Sequence, residues 1–160
     1  MEEQVTIRNY REEDREALRR ITEICFVGVS IDKNIEDRFG PIGGRDWTWR
    51  KKRHIDADIA ACPEGILVVE VEGQVAGYIT SRIDRESKIG WIPNLAVLPE
   101  HQGKGIGKQL MVAVLDLLRR EGMELVKIET LMQNPVGMTF YPKMGFEEVA
   151  RQIHYAMRLK

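Results

Sequence analysis

Val5 and Ile7 alternate with polar neighbours, the period-two signature of a short strand. Beyond Asp14 the pattern switches to helical spacing, with Leu18, Ile21, Ile24 and Cys25 as the apolar positions. From Gly28 to Arg45 apolar periodicity fades, and Gly40-Pro41-Ile42-Gly43-Gly44 reads as loop. Asp46 is placed to cap a second helix reaching about Ala61, with Trp47, Lys51, Ile55 and Ile59 on one stripe. Gly65 to Val71 is β-rich, and Glu72-Gly73-Gln74 turns it into a second run, Val75 to Ile83, as a hairpin.

A third β run, Lys88 to Leu98, follows the charged turn Asp84-Arg85-Glu86-Ser87. Pro93 lies inside that run. Proline cannot donate to a ladder, so it predicts an edge or a bulge. Between Gly105 and Glu121, residues Ile106, Leu110, Val114, Leu117 and Leu118 repeat at helical spacing, and Gly122 is a natural stop. Leu125 to Leu131 predicts another strand. Asn134-Pro135 opens a short helix that Gly145 ends. Two closing strands are predicted near Phe146 to Ala150 and Ile153 to Arg158. The expected order is β-α-α-β-β-β-α-β-α-β-β, an α/β (α+β) domain over residues 1–160 with a mixed sheet flanked by helices.

Composition narrows the class. The chain has 160 residues, with 24 Lys+Arg against 25 Asp+Glu and a net charge of −1. That balance argues against a dedicated nucleic-acid binder. Two cysteines, Cys25 and Cys62, are too few for a disulfide scaffold and read as free thiols of a cytoplasmic protein. Met1-Glu2-Glu3-Gln4 lacks the basic and apolar regions of a secretory leader. No apolar run approaches the ~20 residues that span a bilayer. His54, His101 and His154 are scattered, with no metal-ligand spacing, so no metal is expected.

The sharpest feature is Gln102-Gly103-Lys104-Gly105-Ile106-Gly107-Lys108, between a strand and the long helix. Glycines there let backbone N–H groups approach an anion, and the helix adds its positive end. The dinucleotide fingerprint would need glycine where Lys108 stands. The P-loop would need glycine at Gln102 and Ser or Thr at Gln109. Neither nucleotide motif fits. The remaining readings are a different phosphate ligand or a plain tight turn.

Asn134, Phe140-Tyr141, Lys143 and Gly145-Phe146 follow one strand later. Together with the loop, these residues resemble the GNAT superfamily, the acetyl-coenzyme A-dependent N-acetyltransferases. The likeness covers roughly Val68 to Phe146. It implies that the pyrophosphate of acetyl-CoA sits on the amides of Gly103, Lys104, Gly105, Ile106, Gly107 and Lys108, beside Gln102. It also implies that the pantetheine arm lies along the fourth strand, Asn94, Leu95, Ala96 and Val97, with Asn134, Tyr141 and Lys143 adding to the coenzyme site. A bulge at Pro93 would open a wedge for the thioester, and the Leu95 N–H would polarise the acetyl carbonyl. Tyr141 is then the expected proton donor to the departing thiolate. Several family members carry a glutamate on the fourth strand. This chain has Trp91 and Asn94 there, so Glu129 on the fifth strand is the candidate base, acting through water.

The activity implied is acetyl transfer to a primary amine by direct attack in a ternary complex. The acceptor is a protein N-terminal amine or a small molecule. An acyl-CoA-binding sensor without transfer is the alternative, since the fourth-strand carboxylate is missing. The basic run Arg50-Lys51-Lys52-Arg53-His54 reads as a solvated helix face, with Lys52–Asp56 and His54–Asp58 as i, i+4 pairs. Ser30 to Trp49, with Asp32, Asp37, Asp46, Trp47 and Trp49, is a candidate lid suited to a cation. The closing strands are able to pair across a homodimer.

Overall fold

The computed structural model describes residues 2–160. The elements are β1 (Val5–Asn9), α1 (Arg15–Cys25), α2 (Ile31–Phe39), α3 (Trp47–Ala61), β2 (Leu67–Val71), β3 (Gln74–Ile79), β4 (Ile89–Ile92), β5 (Leu95–Val97), α4 (Ile106–Arg120), β6 (Leu125–Ile128) and α5 (Pro135–Lys143). The first four strands in the ladder run β1-β2-β3-β5, all antiparallel. A second ladder pairs β4 with β6 in parallel, and the bridge Arg82–Trp91 ties β4 to the chain that continues β3. The result is a mixed sheet between two helical layers.

Alternation along the strands fills both faces. Val68, Tyr78 and Ala96 point to one side, where Leu18, Ile21, Ile55 and Ile59 of α1 and α3 cover them. Leu67, Val69, Ile79 and Val97 point to the other, against Ile106, Leu110, Met111 and Val114 of α4. This is the period of two on the sheet meeting the period of 3.6 on the helices. Asp46 caps α3 as the sequence predicts, its side chain accepting from the Trp49 amide at 2.9 Å.

Three elements differ from the sequence expectation. Gly28 to Arg45 contains the helix α2, whose exposed polar residues hide its period. The run Lys88 to Leu98 is two strands, broken at Pro93-Asn94. The two closing segments form no strand and pair with none among the described residues. Their apolar residues alternate as strands do, yet alternation gives no information on which edge they meet.

Candidate active site

The break at Pro93-Asn94 sends the two halves of one strand to different neighbours. β4 keeps β6 on its outer edge, while among the described residues β5 pairs only with β3. Ladder bonds from Thr80 N to Asn94 O (2.9 Å) and from Leu98 N to Ala76 O (2.8 Å) fix the parity of β5. The main-chain groups of Asn94, Ala96 and Leu98 therefore face β3, and those of Leu95 and Val97 face the open side. Val97 O there accepts from Gln102 Nε2 at 2.8 Å and from the Cys25 thiol at 3.3 Å. The Leu95 N–H, by contrast, has no acceptor among the described residues. Of the four strand residues expected to meet the coenzyme, Leu95 and Val97 turn their main-chain groups to the open side. Ala96 is committed to the ladder.

Asn94 is also committed, but through its side chain. Its Nδ2 donates to Asp58 Oδ2 at 2.7 Å, and its Oδ1 accepts from Lys51 Nζ at 2.8 Å. Asp58 further accepts from Thr80 Oγ1 at 2.9 Å and from Arg82 Nη2 at 2.7 Å. Asn94 and Asp58 are buried. Lys51 lies 4.2 Å over the Phe26 ring, and burial lowers its pKa from the ordinary lysine value. Asn94 thus ties helix to sheet through its side chain. Nothing singled out this network in advance except a lysine on the apolar stripe of α3. The helix pairs expected beside it do not form: Lys52 reaches Glu23 at 2.6 Å, and Asp56 receives Arg19 at 2.7 Å. His54 faces Asp32 at 3.5 Å.

The glycine loop leads from β5 through a 3₁₀ turn into α4. Gly103 and Gly105 take φ of 75° and 81°, the left-handed region that disfavours other residues. The first helical bond of α4 is Gln109 N to Gly105 O at 3.1 Å. Upstream of it, the amides of Gly103 through Lys108 find no acceptor among the described residues. Gly107 is different from its neighbours: its φ is ordinary, and a Cβ there would meet nothing within 4 Å. The chain itself does not require glycine at that position. The side chains of the loop are less available than its amides. Ile106 is in the core, and Lys104 pairs with Glu3 at 3.0 Å. Lys108 is exposed, with no ion pair among the described residues.

On the opposite side of the wedge, Asn134 caps α5. Its Oδ1 accepts from Gly137 N at 3.1 Å and its Nδ2 donates to Thr130 Oγ1 at 3.1 Å. One bond is made at each end of the amide, so Asn134 helps build the helix that carries Tyr141. Tyr141 packs edge-on to Phe140 and Phe146, at 5.5 and 6.0 Å, in the apolar cluster that Leu95 and Ile128 also border. Burial pushes its phenol up to about 12, and no hydrogen bond reaches its hydroxyl among the described residues. Lys143 is exposed on the outer side of α5, beside Pro135, Val136, Thr139 and Phe140. Glu129 is exposed just past β6, and the Trp91 indole donates to its Oε2 at 2.5 Å.

The far end of the wedge is bridged. Gln133 Nε2 donates to Gly28 O at 2.8 Å, and its Oε1 accepts from Asn34 Nδ2 at 2.8 Å. In the region expected as a lid suited to a cation, several of the named groups are already engaged: Asp46 caps α3, Asp37 pairs with Lys33, and Trp47 is buried. Trp49 lies between the guanidinium groups of Arg45 and Arg53, each 4.9 Å away. Among the described residues no three His, Cys, Asp or Glu side chains converge as metal ligands. No described helix is long and apolar enough to cross a membrane.

The chain is similar to known proteins. A mycothiol acetyltransferase of Streptomyces griseus is 31% identical over 84 residues, which is 52% of this chain and 27% of that protein. N-alpha-acetyltransferase 30 of Schizosaccharomyces pombe is 35% identical over 66 residues, 41% of this chain and 44% of that protein. These matches span less than half the length of either relative. The PaiA N-acetyltransferase of Thermoplasma acidophilum, solved with coenzyme A, superposes with a TM-score of 0.72 over 90% of both chains at 23% identity, a likeness of fold. The model of the acetyltransferase (GNAT) family matches residues 15–146, and the chain belongs to that family.

Proposed function

We propose that this protein transfers an acetyl group from acetyl-CoA to a primary amine, by direct attack in a ternary complex. The observation that carries the reading is the row of amides, Gly103 through Lys108, with no acceptor among the described residues and the N-terminus of α4 behind it. Such a row suits a pyrophosphate. Its glycines, including the otherwise unexplained Gly107, let that group come close.

The rest of the site suits a thioester beside it. The Leu95 N–H faces the wedge as a fixed donor for the carbonyl oxygen while negative charge gathers there. The amine nitrogen bonds to the acetyl carbon, the carbon–sulfur bond breaks, and the electron pair leaves on sulfur. Tyr141 stands ready as a neutral donor to that sulfur. A phenol at about 12 is a weaker acid than a thiol at ~8.5, so complete transfer is uphill by about 5 kcal/mol. Tyr141 therefore acts chiefly through its hydrogen bond, and solvent completes the protonation. Glu129, positioned by Trp91, accepts the amine proton through water.

The acceptor class follows from the weak base. An α-amine with a pKa of ~7.7–8.0 is about one-tenth neutral at pH 7, whereas a lysine amine at ~10.4 is neutral in about one molecule in 2,500. An exposed, water-relayed carboxylate is adequate only for the first. A protein N-terminal amine or an acidified small-molecule amine is the substrate this site suits, in keeping with the activities that the names of the relatives describe. The test is thiol release from acetyl-CoA against a panel of peptide α-amines, small amines and lysine peptides. Release with α-amines ahead of lysines is expected. Tight coenzyme binding with no release for any amine would overturn the transferase in favour of a sensor.

A further inference from the structure

The residue before Leu95 is bonded at each of its polar atoms. Asn94 O accepts from Thr80 N at 2.9 Å, and Asn94 N donates to Thr80 Oγ1 at 3.1 Å. Its Nδ2 donates to Asp58 Oδ2 at 2.7 Å, and its Oδ1 accepts from Lys51 Nζ at 2.8 Å. Thr80, Asn94 and Asp58 are buried. One bond of this set breaks the ladder's pattern. Thr80 and Asn94 stand opposite each other, next along from the pair Ile79–Leu95, where an antiparallel pair exchanges two backbone bonds. Among the described residues the return bond, from Asn94 N to the Thr80 carbonyl, is not made, and the Thr80 hydroxyl takes its place.

That hydroxyl is oriented by Asp58. Thr80 Oγ1 donates to Asp58 Oδ2 at 2.9 Å, which leaves a lone pair for the Asn94 N–H; the other acceptor in reach, Asn94 O at 3.5 Å, is too long to compete. Asp58 Oδ2 therefore grips Asn94 twice, directly through the side-chain amide and indirectly through Thr80. Its Oδ1 accepts from Arg82 Nη2 at 2.7 Å, which holds the carboxylate in turn. The consequence falls on the next residue. The Asn94 carbonyl and the Leu95 N–H share one planar peptide and point opposite ways across it. With the carbonyl held to Thr80 N, the N–H is turned to the open side, where it has no acceptor among the described residues. Swinging this peptide away would leave buried groups unpaired.

We propose that Thr80 and Asn94, anchored on Asp58, are positioning residues for acetyl transfer: they preset the Asn94–Leu95 peptide so that its N–H meets the acetyl carbonyl oxygen as charge gathers there. The inference rests on the transfer reading above. Both residues act through Leu95 and not on the substrate. A donor fixed beforehand stabilises developing charge without reorganising during the reaction, and removing one such donor lowers kcat by about 10²–10³. A donor left in place but free to swing loses part of that effect.

Thr80→Val keeps the shape of the side chain and removes the hydroxyl. Its kcat is expected to fall by about tenfold or more, with KM for the amine and affinity for coenzyme A within about twofold of wild type. Thr80→Ser restores the hydroxyl and should recover most of the turnover. The order parameter of the Leu95 N–H, from nitrogen relaxation of the full chain without ligand, is a reading independent of activity. A preset peptide gives about 0.85 in the wild type, the value of rigid backbone, and a lower value in Thr80→Val. A wild-type value below about 0.6 overturns the proposal whatever the variants do. So does a Thr80→Val enzyme with wild-type kcat, or one whose loss Thr80→Ser does not recover. Should Thr80→Val not fold, Asn94→Ala is read in the same way. A wild type that releases no thiol with any amine defeats the transferase reading instead, and the order parameter still decides whether the peptide is preset.

Discussion

Two tyrosines separate the two faces of this sheet. Tyr78, under α1 and α3, is fully buried, and its hydroxyl pairs with Thr22 Oγ1 at 2.7 Å. Tyr141, on the side of α4 and α5, is raised to about 12 by burial alone and has no partner for its hydroxyl among the described residues. The same contrast holds around them. On the first face Asp58 gathers Thr80, Arg82 and Asn94, and Arg8 joins Asp14 at 2.8 Å and Glu70 at 2.6 Å. On the second, the amides of Gly103 through Lys108 and of Leu95 face outward without acceptors among the described residues. Buried polar groups are ordinarily satisfied, because an unmade bond costs about 1–3 kcal/mol. The Asp58 network ties the first face together, although Arg82 Nε within it has no partner among the described residues, and the outward-facing groups of the second face are those we propose take a ligand.

Substitutions on the two faces should then fail in different ways. The largest effect is expected at Tyr141→Phe. Turnover should fall by about 10²–10⁴, with coenzyme affinity within about twofold of wild type. Stopped-flow turnover beside calorimetry checks both, and unchanged turnover would remove Tyr141 from the chemistry. Asp58→Ala should act on stability instead. Leaving Arg82, Asn94 and Thr80 without their acceptor is expected to cost about 3–5 kcal/mol in urea unfolding. A loss below about 1 kcal/mol would mean that the network holds little.

Gly107→Ala is the sharper discriminator, although its effect is smaller. The site is helical with an ordinary φ and open space, so alanine should stabilise the fold by about 0.5–1 kcal/mol. Coenzyme A should nevertheless bind more weakly. A variant that is both more stable and equally tight would show that the glycine serves no ligand. The smallest signal is one of shape. With Tyr141 raised to about 12, kcat/KM should climb with pH as the acceptor amine loses its proton. It should show no descending limb below about pH 10. A decline nearer pH 8 would assign the acid to another group.

Much of this was legible along the chain. Hydrophobic period placed β1, α1, α3 and α4, because each buries one face against the sheet, while β-rich runs around Glu72-Gly73-Gln74 placed the β2–β3 hairpin and the Asn134-Pro135 cap with Gly145 placed α5. Pro93 correctly marked the break that frees Leu95. The loop amides were legible because glycine spacing records backbone conformation directly. Three features were not. The α2 helix has no buried residue, so no apolar period reveals it. Asn94, Lys104 and Asn134 sit at coenzyme-site positions of the motif, but their side chains turn to Lys51 and Asp58, to Glu3, and to Gly137 and Thr130. Sequence spacing locates a residue on an element without saying which neighbour takes its hydrogen bonds. The closing segments have strand alternation, yet alternation names no partner edge.

The central claim is that the backbone of Gly103 through Lys108 holds a pyrophosphate. Amide hydrogen exchange of the intact protein, with and without coenzyme A, reads those groups one by one. Strong protection of these amides and of Leu95 on adding coenzyme A, with Asn94 and Asp58 unchanged, is the predicted result. Exchange across residues 103–108 that stays fast at saturating coenzyme A would contradict it.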